Sequence, residues 1–97
     1  MIDHRIEYDQ AKRQQTLTLR KLDMAEVPLV LAGPTLTFPD MRTNYGEERF
    51  LTVGYLRARM VIICWTPRDG VYRIISMRKT NERETKTYRA SLRMGTG

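Results

Sequence analysis

Two clusters in the second half of the chain carry residue types that handle phosphate. The first is Arg73-Ile74-Ile75-Ser76-Met77-Arg78-Lys79, a β-branched apolar run with guanidinium groups near both ends and Arg83 in the polar stretch beyond it. The second is Glu47-Glu48-Arg49, just ahead of another apolar run. Arginine's planar fork can make two parallel hydrogen bonds to a phosphate, which a lysine ammonium cannot. Cleavage of an RNA phosphodiester needs a carboxylate to take the 2′-OH proton and cations to stabilise the phosphorane. General acid–base help is worth roughly 10²–10⁴-fold, and cations aimed at the developing charge add electrostatic stabilisation of comparable or greater weight. Glu47, Glu48, Arg49, Arg73 and Arg78 are therefore the candidate catalytic set, although a pair such as Glu47-Glu48 is more often a solvated turn than a base. Strand alternation sets a constraint on it. Arg73 and Arg78 are five apart and point to opposite faces of a regular strand, whereas Ser76 and Arg78 share one. Both arginines reach one site only if a bulge intervenes or if Arg78 already lies in the loop that follows.

Other chemistries find little material. Gly33, Gly46, Gly54 and Gly70 are isolated turn residues and form no phosphate loop. One cysteine and one histidine are too few for a zinc site, and one histidine rules out a two-histidine ribonuclease mechanism. His4 lies near the terminus and reads as exposed and idle. Cys64 sits inside an apolar run and reads as a small buried residue. No cofactor is called for, and the site is read as metal-free; a weaker alternative is a metal-dependent nuclease using Asp40 with Glu47 or Glu48.

The charge is unevenly placed. Residues 1–40 hold five Lys/Arg against six Asp/Glu, and residues 41–97 hold twelve against five, which accounts for the net charge of +6. An acidic polymer is the favoured partner, either nucleic acid or an acidic protein that covers the same face. Ninety-seven residues make a single domain, 1–97, with one modest core. The sequence has no long uncharged apolar run to cross a membrane and no apolar leader at Met1-Ile2-Asp3-His4-Arg5, so a reducing cytoplasm is the expected setting.

The elements that must position these residues follow from periodicity and caps. Ile6-Glu7-Tyr8 reads as a short edge strand, and Asp9 as the N-cap of a helix. Tyr8, Ala11, Gln15, Leu19 and Leu22 fall at helical spacing, although Thr16-Leu17-Thr18-Leu19 alternates like a strand. Asp23 and Glu26 form a capping box for a second helix to about Ala32, with Gly33-Pro34 ending it and Pro28 requiring a kink or a late start. Strands are expected at Thr35–Phe38, Phe50–Tyr55, Met60–Trp65 and Val71–Met77. The intervening turns fall at Asn44-Tyr45-Gly46, Arg57-Ala58-Arg59 and Pro67-Arg68-Asp69-Gly70. The nearly continuous apolar run Met60–Trp65 should be a central strand buried on both faces. Asn81 and Glu84 pair as caps of a last helix from about Glu82 to Arg93, with Glu84, Tyr88 and Leu92 inward and Arg83, Lys86 and Arg93 outward. Gly95-Thr96-Gly97 reads as a frayed end. The fold class is α+β: N-terminal helices, an antiparallel meander of three to four strands, and a C-terminal helix.

In order and spacing the chain resembles the BrnT family, the ribonuclease half of BrnT–BrnA toxin–antitoxin pairs in bacteria. The matching pieces are Glu7-Tyr8-Asp9 with Lys12, then Gly46-Glu47-Glu48-Arg49-Phe50, then Thr66 and Arg68. Arg73-Ile74-Ile75-Ser76 with Arg78-Lys79 follows, and finally Arg83-Glu84 with Tyr88. The resemblance implies a RelE-like fold and metal-independent RNA cleavage. It also implies a BrnA-like antitoxin that blocks the toxin and carries the complex onto operator DNA. On this reading Lys12, Thr66, Arg68, Ser76, Lys79 and Arg83 contact RNA, and Tyr88 either stacks on a base or packs on the sheet. The chain departs from the family at Arg20-Lys21-Leu22-Asp23, where members carry Lys-His-Gly, and at Thr85 and Thr87, which are often basic. If these cations hold RNA, the logarithm of the affinity should fall with that of salt concentration, with a slope of about −0.7 per phosphate neutralised. Fluorescence anisotropy of a labelled RNA strand across a salt series measures that slope, and a flat response would remove the electrostatic reading.

Overall fold

The computed structural model describes residues 5–42, 44 and 46–94, with side chains as far as Leu92. His4, Tyr45, the Arg93 side chain and the Gly95-Thr96-Gly97 end lie outside the described residues. In chain order the elements are β1 (Ile6–Tyr8), α1 (Gln10–Arg20), α2 (Val27–Leu31), β2 (Leu36–Pro39), β3 (Phe50–Leu56), β4 (Arg59–Arg68), β5 (Val71–Lys79) and α3 (Glu82–Met94).

Local chemistry accounts for the helix limits. The Asp9 side chain accepts from the Lys12 N–H at 3.0 Å and starts α1. Lys21 adopts a left-handed conformation and donates its N–H to the Leu17 carbonyl, which ends the helix. Asp23 accepts from the Ala25 N–H and is gripped by Arg13 at 2.7 and 3.0 Å. It opens a 3₁₀ turn, Met24–Glu26, that leads into α2. Pro28 therefore falls in the first turn of a late-starting α2, where no helical partner is lost. This five-residue helix is held by tertiary burial, with Val27 and Val30 fully enclosed.

Among the described residues the sheet has five strands in the order β1-β5-β4-β3-β2, antiparallel throughout except for β1, which runs parallel to β5. The short strand read at Ile6-Glu7-Tyr8 forms at the sheet's edge, but the expected three-to-four-strand meander with helices first is corrected: that strand precedes the helices and joins the four-stranded meander as a fifth strand, parallel to its last. Three residues carry no signal for the direction of pairing, and β1 and β5 are separated by almost the whole chain. The β4–β5 hairpin turns at Asp69 and Gly70, both at positive φ, as a two-residue reversal of right-handed twist requires.

Helices cover both faces. On the first face Leu56, Val61, Ile63, Ile74 and Met77 meet Leu22, Met24, Val27 and Val30 from the α1–α2 segment. On the second face Val53, Met60 and Ile62 meet Leu92 of α3, with Tyr88 packed alongside. β4 thus feeds both cores in alternation, as its apolar run predicts. In β5 the alternation fails once. Ile74 and Met77, three apart, enter the same core. Ile74 lies opposite Trp65 and Ser76 opposite Cys64, so Ile75 is an extra, unpaired residue: a β-bulge.

Gly54 in β3 is where α2 comes closest to the sheet. A Cβ there would lie 2.7 Å from the Val30 Cγ1 and 3.2 Å from the Thr35 Cγ2. Because Val30 is itself enclosed, Gly54→Ala should destabilise the fold by about 1–3 kcal/mol. A lowered urea midpoint at unchanged slope would show it; an unshifted midpoint would mean that α2 yields freely.

Candidate active site

The bulge decides which β5 side chains meet. With Ile75 taken out of the alternation, Arg73, Ser76 and Arg78 all lie on the second face, in register with Thr66, Cys64 and Ile62 of β4. The two arginines that regular alternation would separate are brought to one side of the sheet. α3 covers the Met60–Ile62 end of this face, and the 40–49 loop reaches across its Cys64–Thr66 end.

That loop is clasped at both ends. The Asp40 N–H donates to the Arg49 carbonyl at 2.8 Å, and the buried Thr66 hydroxyl donates to the Glu48 carbonyl at 2.6 Å. The Asp40 side chain is 0% exposed, and its carboxylate accepts from the Arg42 Nε and Nη2 at 2.8 and 2.7 Å. Cys64 points its sulfur at the same carboxylate, at 3.8 Å. Burial and the Asp40 charge push the Cys64 thiol upward, so it stays protonated and behaves as the small buried residue expected of it. A cleft of about 510 Å³ opens beneath the loop, lined by Asp40, Asn44, Glu47, Glu48 and Arg49. Gly46, at φ 74°, donates its N–H to the Asn44 side chain at 3.0 Å and turns the chain toward the Glu47-Glu48-Arg49 segment. Among the described residues, no three His, Cys, Asp or Glu side chains are grouped to hold a metal ion.

The arginines of this face differ in how they are held. Arg78 makes a two-pronged pair with Glu84, 2.8 Å on each arm, and Arg49 donates to Glu47 at 3.0 Å. Arg73 is looser: its Nη1 is 4.0 Å from the Glu7 Oε1, and the Arg68 Nη1 is 3.9 Å from the same oxygen. Glu84 also closes the α3 capping box, accepting from the Asn81 N–H at 3.0 Å while its own N–H donates to the Asn81 side chain at 2.8 Å.

The remaining expected contact residues are scattered. Lys79 is exposed at the far end of β5, in register with the first-face Val61. Lys12, on α1, lines a separate cleft with Gln15, Arg20 and the Ile75–Ser76 edge of β5. Arg83 is exposed on the first turn of α3. The Tyr88 ring stacks on Phe38 at 6.0 Å within the second core, the packing alternative read from sequence. Sequence reasoning passed over Glu7 and Arg42 as site residues. Ile6 and Tyr8 flank Glu7 as apolar neighbours, a pattern that turns Glu7 to the opposite face, but the strand it would join was not evident.

The arrangement is a basic face on a small α/β sheet, arginine-rich and suited to a phosphate polymer. A family model described as "Ribonuclease toxin, BrnT, of type II toxin-antitoxin system" matches residues 8–84. The chain belongs to that family of ribonuclease toxins, for which RNA is the target and an antitoxin the partner. No curated protein matches the chain. Among the described residues, no helix is long and apolar enough to cross a membrane.

The Arg78–Glu84 pair generates a pH-dependence. Hydrogen bonds from Arg78, joined by a weaker contribution from the Asn81 N–H, pull the Glu84 carboxyl down to about 2 against its partial burial. The folded value lies below the ordinary 4.5, so the stabilisation is complete above that pH and is lost as pH falls toward 2. The stability advantage of wild type over Glu84→Gln should shrink by about 1–2 kcal/mol across that range, after allowing for solvent screening. Urea unfolding at a series of pH values measures it, and parallel stability curves would contradict the pairing.

Proposed function

We propose that the chain is a metal-independent endoribonuclease that works through the arginine and glutamate side chains of the second sheet face. The observation that carries this reading is the β5 bulge, which sets Arg73, Ser76 and Arg78 on the side that the Glu47-Glu48-Arg49 loop reaches. In this reading Arg49, Arg73 and Arg78 hold and stabilise the scissile phosphate, and Glu47 or Glu48 takes the 2′-OH proton. Arg68 and Ser76 border the same surface, the buried Thr66 supports it by holding the Glu48 backbone, and Arg83 steers the strand, while Lys12 and Lys79 guide RNA around the edges of the sheet. Cleavage occurs in the cytoplasm, the overall fold is RelE-like, and the whole chain is one toxin domain. A BrnA-like antitoxin neutralises it and brings the pair to operator DNA.

A second reading, a non-catalytic toxin-fold module that binds an antitoxin or nucleic acid, draws support from one observation. Arg42, Arg49 and Arg78 already carry in-chain carboxylates, which weakens their pull on phosphate. Expression toxicity separates the readings: growth arrest relieved by Arg73→Ala supports the enzyme, and a harmless chain that still binds its partner supports the module. For the enzyme, purified protein should cleave labelled RNA equally with and without EDTA. Arg73→Ala should slow cleavage by about 10²-fold or more, the weight of one well-aimed electrostatic group. Full activity in both Arg73→Ala and Arg78→Ala would sink the assignment.

A further inference from the structure

We propose that Glu7 is a catalytic residue: the general base that takes the 2′-OH proton, in a phosphate site formed by Arg68 and Arg73. This deepens the ribonuclease reading and rests on it, keeping Arg73 on the phosphate but moving the base from Glu47 or Glu48 to Glu7 and the second cation from Arg49 or Arg78 to Arg68. Parallel pairing of β1 with β5 sets Glu7 opposite Arg73, and because Ile6 and Tyr8 enter the first-face core, Glu7 is turned to the second face. Alternation along β4 puts Arg68 on that face as well, two residues beyond Thr66. A single carboxylate oxygen, Glu7 Oε1, thus lies 3.9 Å from the Arg68 Nη1 and 4.0 Å from the Arg73 Nη1.

Those separations are ion-pair contacts but exceed hydrogen-bond length. Among the described residues neither guanidinium makes a side-chain hydrogen bond, so their N–H forks keep their capacity for phosphate oxygens. Arg42, Arg49 and Arg78, by contrast, each donate to a carboxylate at 2.7 to 3.0 Å. The carboxylates sort the same way. Asp40 is enclosed, while Glu47 and Glu84 accept from arginine. Glu48 has its backbone anchored through Thr66, and among the described residues no cation pairs with its side chain. Glu7 is 41% exposed, lies on a strand rather than in a loop, and stands between the two uncommitted cations. A base held on a rigid element next to the phosphate-binding groups is the arrangement that proton abstraction at a bound 2′-OH demands. The family model matches residues 8–84, and the resemblance read from sequence includes Glu7 without giving it a role.

The step balances without a further reagent. Arg68 and Arg73 take the non-bridging phosphate oxygens, and the Glu7 carboxylate removes the 2′-OH proton. The 2′-oxygen forms a bond to phosphorus as the bond to the 5′-oxygen breaks. The departing 5′-oxygen takes a proton from water, Glu7 returns its own to solvent, and the products are a 2′,3′-cyclic phosphate and a 5′-hydroxyl.

The test compares the purified full chain with Glu7→Gln, Glu7→Asp and Glu48→Gln on a labelled mixed-sequence RNA strand, with the 2′-deoxy strand as an uncleavable binding probe. Glu7→Gln should lower the single-turnover rate by about 100-fold or more, with deoxy-strand binding held within about threefold of wild type or tightened. It should also remove the acid limb of the pH–rate profile. Glu7→Asp, which keeps a carboxylate one methylene shorter, should recover part of the rate, and Glu7→Gln should lose more of it than Glu48→Gln. A Glu7→Gln chain that cleaves within threefold of an active wild type overturns the proposal and leaves the ribonuclease reading standing. So does loss confined to Glu48→Gln, or a Glu7→Gln defect that appears only as weaker binding. A wild-type chain that cleaves no RNA overturns both.

Discussion

An unpaired residue in β5 fixes the chemistry of both sheet faces. Ile75 has no partner on β4, and past it the side chains of β5 resume their alternation in the opposite phase. The first core depends on this, because Ile74 and Met77 both enter it and a regular strand would turn one of them to the other side. The second face depends on it equally, since the same shift brings Arg73 into line with Ser76 and Arg78. A bulge costs a ladder hydrogen bond and bends the strand. Here two enclosed apolar side chains offset that cost, each worth about 1.5–3 kcal/mol of burial. The arginines are therefore aligned by a core requirement, and packing rather than charge sets the geometry of the candidate site.

Charge then divides that face into fixed and open parts. The Arg78–Glu84 pair joins the end of β5 to the first turn of α3, and its worth lies in geometry more than in Coulomb energy, since exposed pairs contribute little by themselves. Two parallel hydrogen bonds and a capping box on the same carboxylate hold α3 against the sheet. Arg42 has a comparable task over Asp40, whose enclosed carboxylate would be costly to leave uncompensated. The loop carrying Glu47 and Glu48 is pinned from both sides by these contacts and by Thr66. With those cations committed to structure, the open binding capacity falls at the other end of the face, on Arg68 and Arg73.

Much of this was legible in the sequence, for reasons that can be named residue by residue. Asp9, Asp23, Asn81 and Glu84 act as the caps that their spacing announces, because capping is a local hydrogen-bond problem solved within four residues. Asp69-Gly70 turns as expected, and Met60–Trp65 is buried on both faces, because turn chemistry and apolar runs are also local. What was not legible is non-local. The partner of Ile6-Glu7-Tyr8 lies more than sixty residues away by the register of Ile6 with Tyr72, and no local pattern states that the pair is parallel. The bulge could be posed only as a condition for Arg73 and Arg78 to meet, since Ile74, Ile75 and Met77 are all apolar and either phase would have looked satisfactory. For the same reason Glu7 stands in the sequence reading as part of an edge strand and of the family resemblance but not as a site residue, and the carboxylates nearest to arginine in sequence take that place.

Proximity along the chain is a poor guide to which ionisable groups remain available. Arg49 lies two residues from Glu47, and Arg78 six from Glu84; closeness of that kind lets each pair form within one short segment of chain. The acidic residue nearest to Arg73 in sequence is Asp69, four positions away in the hairpin turn, yet the carboxylate beside its guanidinium comes from a separate strand whose position is set by the sheet. Strand spacing holds Glu7 near Arg73 and Arg68, and the resulting separations are too long for hydrogen bonds. Backbone pairing thereby leaves donors and acceptor close but uncombined. A phosphodiester entering that gap can take the guanidinium forks without first breaking a short ion pair. Displacing Glu84 from Arg78 would require breaking two hydrogen bonds and disturbing the start of α3, and for that reason the two ends of the strip are suited to different work.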